Sequence, residues 1–260
     1  MRVEELEVAG LHAERRGDPG APLAICVHGL SANLRGFDVL APALAEAGRQ
    51  VVAVDLRGRG GTPDSGPGTY GLASHARDVL AVADELDAER FALVGWSMGA
   101  FVTLAVAASA GDRLTHAVLI DALGNDIDPA ALDAVRAGLA RLEAVVPDPE
   151  TYVAAIRAAG AVDPWEPLWD GYYRYELAQR EDGTWSPRTS RSAALEDLEA
   201  GVDEDHRARW PALTMPTLVV RCTVPLNGGL LIPETERDAV LAAVPTVEVA
   251  EIDRNHFGVI

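Results

Sequence analysis

Lysine is absent from this chain of 260 residues: all 22 basic side chains are arginine, and 40 carboxylates oppose them, for a formal net charge of −18. A surface so short of positive charge repels phosphate backbones and anionic lipid headgroups, which argues against nucleic acid or a membrane surface as partner. Cysteine is scarce as well. Cys26 and Cys222 each sit inside an apolar run, where a thiol packs as a small buried hydrophobe. No apolar run approaches the roughly 18 residues that cross a bilayer. The first residues, Met-Arg-Val-Glu-Glu-Leu-Glu, lack the apolar stretch of a secretion signal, so a cytoplasmic protein is expected. Internal repeats and low-complexity tracts are missing too. What remains is 48% hydrophobic and 24% charged, material for a sizeable core in an ordinary globular protein.

The first half alternates short apolar runs with helical patterns. Val3 to Val8 and Leu11 to Arg15 alternate in polarity, as an edge hairpin does. Pro22 to Val27 and Val51 to Val54 are continuously apolar, as strands buried on both faces are. Helices are predicted near Phe37 to Ala47, Leu72 to Leu86 and Met98 to Ala110, with strands at Phe91 to Val94 and Thr115 to Ile120. Repeated β-α-β units imply a mostly parallel α/β sheet with helices on both faces. From Ala122 to Pro211 the strand signal disappears, and helical periodicity appears around Pro129 to Val145 and Pro149 to Ala159. The β-α-β pattern resumes with Thr217 to Cys222, Pro233 to Ala243 and Val247 to Ile252. The expected organisation is a core domain of residues 1–121 and 212–260, with residues 122–211 inserted as a helical lid.

Three motifs carry chemistry. Gly95-Trp96-Ser97-Met98-Gly99 follows a buried strand and opens a helix. A sharp turn there projects the serine oxygen above the sheet, and small residues on either side relieve the crowding. The helix N-terminus beneath it offers free N–H groups to a developing oxyanion, Met98 N–H first. His28-Gly29-Leu30 follows the strand ending at Val27, and its loop can supply a second donor, the Leu30 N–H or that of Ser31. The His28 side chain itself is expected to satisfy loop hydrogen bonds. Asn255-His256-Phe257 follows the last strand, from where an imidazole reaches Ser97 as the base a hydroxyl nucleophile needs. His12, in the edge hairpin, His75 and His116, in helix and strand positions, and His206, among charges in the insertion, fit that role less well.

Together with Asp55-Leu56-Arg57-Gly58-Arg59-Gly60, these residues resemble the α/β-hydrolase superfamily over both sheet segments, about 170 residues, with its chain order of serine, acid and histidine. The resemblance implies carbonyl hydrolysis with no metal and no organic cofactor. It also implies a structural role for Asp55 to Gly60. Many members carry the triad acid on the loop after the penultimate strand, but Thr223 to Gly229 here holds no carboxylate until Glu234. Asp121, at the tip of the strand after the nucleophile helix, occupies the place from which other members take their acid. Parallel strand tips point the same way, so Asp121 is the expected partner of His256, ahead of Asp126, Asp128 (an N-cap before Pro129) and Glu234 (a helix-start acid).

The expected activity is hydrolysis of a small or medium-sized carboxylic ester or lactone through an acyl-enzyme, by a monomer or homodimer. Amide, thioester and C–C bond hydrolysis share the triad, and a ligand receptor retaining the fold is a rival of another class. Trp165, Trp169, Tyr172 and Tyr173 crowd the insertion and are expected to form a pocket wall for an apolar or ring-containing group, while Trp96 is expected to border the substrate and support the turn at Ser97.

Overall fold

The computed structural model describes residues 2–260. Its first strands form the expected hairpin, β1 (Glu4–Val8) and β2 (Leu11–Arg16), antiparallel to each other. Next come β3 (Leu23–Val27), α1 (Leu40–Glu46), β4 (Gln50–Val54), α2 (Leu72–Glu85), β5 (Phe91–Trp96), α3 (Met98–Ala110) and β6 (Leu114–Ile120). The chain then leaves the sheet through α4 (Pro129–Gly138), α5 (Pro149–Ala159), α6 (Pro167–Tyr175), β7 (Leu177–Gln179), β8 (Trp185–Pro187) and α7 (Arg191–Val202). It returns as β9 (Thr217–Cys222), α8 (Glu234–Ala243) and β10 (Val247–Ile252).

The main sheet has eight strands in the order β1-β2-β4-β3-β5-β6-β9-β10. β2 pairs antiparallel with both β1 and β4, and every other pairing is parallel. The continuous apolar runs have their cause here, because the central strands are covered on both faces. In β4, Val52 and Val54 enter one apolar cluster while Val51 and Ala53 enter the other. In β5, Phe91 and Leu93 face the first and Val94 and Trp96 the second. This is the two-residue alternation of a pleated strand with both sides dry. Helices α2 and α3 cover the first face, and α1 covers the second together with aromatic residues of α5 and α6.

Three local expectations change. The predicted helix from Phe37 starts instead as a 3₁₀ turn at Leu34–Phe37, before α1. The helix expected over Pro129 to Val145 ends at Gly138 and tightens into a 3₁₀ turn, Leu139–Glu143. The insertion also contains strands: β7 and β8 pair antiparallel around a turn containing Asp182 and Gly183. Three-residue strands are too short for alternation to register as a pattern. No helix among the described residues is long and apolar enough to cross a membrane.

Candidate active site

The turn between β5 and α3 is built by steric exclusion. Ser97 has φ +57° and ψ −123°, a conformation that costs an L-residue backbone strain. A Cβ on Gly95 would lie 2.0 Å from the Gly99 carbonyl oxygen, and one on Gly99 would lie 2.0 Å from that of Val27. Glycine at both positions is therefore required for α3 to start so close to the strand tips. The Ser97 amide donates to Ile120 O at 2.8 Å, which ties the turn to the neighbouring strand β6.

At the tip of β6, Asp121 also has a positive φ, +49°, and its amide donates to Val220 O on β9 at 2.8 Å. One carboxylate oxygen, Oδ1, accepts the Cys222 N–H at 3.0 Å. The other, Oδ2, accepts from His256 Nδ1 at 2.8 Å, and His256 Nε2 lies 3.0 Å from Ser97 Oγ, which donates to it in this tautomer. Parallel strand tips thus bring together three side chains separated by up to 159 positions in the chain.

The loop that carries His256 is anchored from two sides. Asn255 Oδ1 accepts from the Phe257 and Gly258 amides at 3.2 and 2.9 Å, and its Nδ2 donates to Ala161 O at 3.1 Å. Trp96 Nε1–H donates to His256 O at 3.1 Å, with the two rings 5.6 Å apart. Trp96 thereby supports both the serine turn and the histidine loop.

A family model for the alpha/beta hydrolase fold matches residues 22–219. The chain belongs to this family. It is 29% identical over 211 residues to "Putative carbamate hydrolase RutD" of Variovorax paradoxus (strain S110), covering 80% of this chain and 76% of that one. It is 26% identical over 279 residues to 3-hydroxybutyrate-oligomer hydrolase of Cupriavidus necator, covering 96% and 89%. The crystal structure of E-2-(acetamidomethylene)succinate hydrolase superposes with a TM-score of 0.85 at 23% identity, covering 98% and 92%, a likeness of fold.

In this α/β hydrolase the other candidate acids are occupied elsewhere. Glu234 opens α8. Asp126 accepts from Thr235 Oγ1 at 2.8 Å. Asp128 stands at the N-cap position of α4, but its side chain accepts the Leu230 N–H at 2.7 Å and makes no bond to the helix. Of the remaining histidines, His28 is fully buried: Nδ1–H donates to Gly29 O at 2.7 Å and Nε2 accepts the Leu56 N–H at 3.0 Å. Burial pushes its pKa down to about 3, so it stays neutral and structural. Asp55 likewise serves its loop, accepting the Leu34 and Gly61 amides at 2.8 and 2.7 Å, and burial raises its pKa.

Two backbone amides beside Ser97 have no acceptor in the fold. Met98 is the first residue of α3, so its N–H has no acceptor within the helix. The Leu30 N–H makes no hydrogen bond among the described residues, and Leu30, Ser97 and Met98 border one cavity. Arg59 holds this loop from behind. It is buried, donates from Nε to Leu30 O at 3.0 Å and pairs with Asp197 of α7 at 2.6 Å. Asp197 also accepts from His75 Nε2 at 2.9 Å. Burial alone would raise the Asp197 pKa, but His75 and Arg59 hold it below the usual carboxylate range. Nothing in the local sequence around Arg59 or Asp197 announced this link, because the partners are 138 positions apart.

Two cavities meet at Ser97. The larger, about 150 Å³, has apolar walls that include Leu30, Phe101, Leu132, Val135, Leu198 and Leu231. His206 also borders it, stacked on Phe101 with ring centroids 4.0 Å apart. The smaller, about 50 Å³, is bordered by Trp96, Arg141, Tyr172, Tyr173 and His256. The expected aromatic wall is therefore half corrected. Tyr172 and Tyr173 do reach a cavity at Ser97, whereas Trp165 and Trp169 border neither. Trp169 is buried against Tyr172 and Tyr173, and Trp165 stacks on Tyr173 at 5.7 Å beneath Arg157. Trp169, on α6, belongs to the second apolar cluster, and Trp165, just before α6, is half-buried against its edge, so their area packs the insertion onto the sheet.

Proposed function

We propose that this protein is a serine hydrolase that cleaves a carboxylic ester or lactone through an acyl-enzyme. The observation that carries this reading is the unbroken hydrogen-bond chain from Ser97 through His256 to Asp121, at 3.0 and 2.8 Å, with Ser97 at the junction of two cavities. In the proposed reaction His256 takes the Ser97 proton as Oγ bonds to the carbonyl carbon. Asp121 fixes the imidazole tautomer and stabilises the imidazolium that forms. The Met98 and Leu30 amides receive the oxyanion, and His256 returns its proton to the leaving oxygen. Water, deprotonated by His256, then attacks the acyl carbon; the bond to Ser97 Oγ breaks, His256 returns the proton to Oγ and the acid is released.

The larger cavity supports an apolar acyl group, since a space of about 150 Å³ holds roughly a benzene ring. We assign residues 122–211 the role of a lid, because α4 and α7 supply Leu132, Val135, Asp197 and Leu198 to that cavity. A carbamate or amide substrate is the second reading, favoured by the name of the relative that matches 80% of this chain.

The test is labelling with a fluorophosphonate probe together with turnover on matched ester, lactone, carbamate and amide substrates. The wild type is expected to be labelled and to hydrolyse the oxygen esters fastest. Ser97→Ala is expected to lose labelling and about 10⁴-fold or more in kcat with its melting temperature nearly unaltered. Ester hydrolysis at the wild-type rate by Ser97→Ala would overturn the reading.

A further inference from the structure

The two cavities at Ser97 differ in which side of the reaction they serve. Leaving-group departure requires a proton from His256, so the leaving group must sit beside that ring. His256 borders the smaller cavity and not the larger. The smaller cavity therefore lies on the alcohol side and the apolar one on the acyl side, if the proposed hydrolase reading on which this inference rests is correct.

The polar lining of the smaller cavity is uneven. Besides Ser97 and His256, it presents Ser31, Arg141, Tyr172 and Tyr173, and none of its lining side chains is a carboxylate. Tyr172 and Tyr173 are each more than nine-tenths buried, yet neither hydroxyl makes a hydrogen bond among the described residues. Their rings meet edge to face at 4.9 Å. Burial raises the pKa of both, Tyr173 to about 12 and Tyr172 also above its ordinary value, so both keep their protons at neutral pH. Ser31 Oγ accepts from Arg141 Nη1 at 3.1 Å, which leaves its own O–H to donate. The rings are buried but the two hydroxyl oxygens are not sealed in, and two unpaired hydroxyls on residues that border one cavity mark a place where a ligand oxygen completes them.

Charge decides which oxygen. Arg141 Nη2 donates to Glu176 Oε1 at 2.8 Å, and Tyr152 donates to Glu176 Oε2 at 3.0 Å. The guanidinium is thus already neutralised by a carboxylate whose two oxygens are both engaged. Beyond that pair the lining residues offer hydroxyls that can donate and an Arg141 Nε–H buried without an acceptor, without excess positive charge, and an added anion would be buried with no free counter-ion. At about 50 Å³ it admits roughly four non-hydrogen atoms, since one water needs about 10–15 Å³ on the same measure.

We infer that Tyr172 and Tyr173 form a leaving-group subsite for a small alcohol bearing an uncharged carbonyl oxygen, so that the preferred substrates are apolar acyl esters of short oxo-alcohols. The subsite acts by donating hydrogen bonds to that second carbonyl while His256 protonates the departing oxygen.

Three phenylacetate esters test this. The 2-oxopropyl and 2-methylallyl esters have nearly the same shape and differ in one carbonyl oxygen, and the carboxymethyl ester replaces that group with an anion. Each kcat/KM is divided by the rate of hydroxide-catalysed hydrolysis of the same ester, to remove intrinsic reactivity. The wild type is expected to prefer the 2-oxopropyl ester over both others. In Tyr172→Phe or Tyr173→Phe the ratio of 2-oxopropyl to 2-methylallyl turnover is expected to fall about three- to ten-fold, the worth of one hydrogen bond. The ratio is internal to each variant, so a lower folded fraction does not move it. An unaltered ratio in both variants overturns the subsite, and preference for the carboxymethyl ester overturns its uncharged character. Fluorophosphonate labelling without hydrolysis of any of the three overturns the substrate class and leaves the hydrolase reading standing. Failure of both labelling and hydrolysis removes the two together.

Discussion

Acid should weaken this protein through His28, a residue that takes no part in the proposed chemistry. In the fold its Nε2 accepts from Leu56 and its Nδ1–H donates to Gly29, and the ring is fully buried. Protonation would put a charge in the core and set an N–H against the Leu56 N–H. Burial accordingly lowers its pKa from 6.5 to about 3. The unfolded chain binds this proton as pH falls below the ordinary histidine value, whereas the folded chain resists until far lower. The contribution to stability is complete above about pH 6.5 and is lost progressively as pH falls toward about 3. Between about pH 7.5 and 5 the linkage relation gives a loss of about 2 kcal/mol from this residue alone. The assay is urea unfolding of the wild type and His28→Gln at both pH values. The glutamine carbonyl can accept the Leu56 N–H without titrating. The variant is expected to start about 1 kcal/mol less stable, having lost the bond to Gly29, and to lose about 2 kcal/mol less on acidification. Other titrating groups act on both proteins and cancel in the comparison. Parallel losses in the two proteins would refute the buried, neutral assignment of His28.

Further outcomes are expected for single substitutions. Asp121→Asn should fold, since asparagine tolerates the positive φ and can keep the bond to Cys222 N–H, yet lose about 10⁴-fold in kcat. Glu234→Gln should stay active, and steady-state kinetics with the reverse result would reassign the acid. Gly99→Ala should lose about 3 kcal/mol or more in denaturant unfolding, because its new methyl meets the rigid Val27 carbonyl at 2.0 Å. Trp169→Ala should cost about 3–5 kcal/mol of stability while leaving acyl-chain preference unaltered. Phe101→Ala and Leu132→Ala should shift that preference in a kcat/KM series of acyl lengths, and a shift produced by Trp169→Ala instead would restore the aromatic-wall expectation.

Much of the site is legible in the sequence because its constraints are local. The spacing of Gly95, Ser97 and Gly99 is dictated by backbone carbonyls within a few residues and by the strand beside them, so five consecutive residues announce the turn. His256 and Asp121 follow from a rule of parallel sheets, that strand tips share one edge, and the order β5-β6-β9-β10 carries that rule into contact. The apolar runs of β3, β4 and β5 were readable for the same reason, since burial on both faces leaves no polar positions.

The walls of the site were decided by tertiary packing. Trp165, Trp169, Tyr172 and Tyr173 look alike as a sequence cluster, but packing buries Trp169 away from the cavities, leaves Trp165 half-buried before α6, and brings Tyr172 and Tyr173 to the small cavity that Ser97 borders. The apolar cavity gathers Phe101 from α3, Leu132 from α4, Leu198 from α7 and Leu231 from the loop before α8. Each is an unremarkable hydrophobic residue in its own segment. Arg59 and Asp197, and Arg141 and Glu176, are ordinary surface residue types until burial makes partners of them. A nucleophile's geometry depends on neighbours a few bonds away along the chain and is written in the order of residues. The shape and polarity of a pocket depend on helix rotation and on side chains tens to more than a hundred residues apart, and these take definite values only when the insertion packs against the sheet.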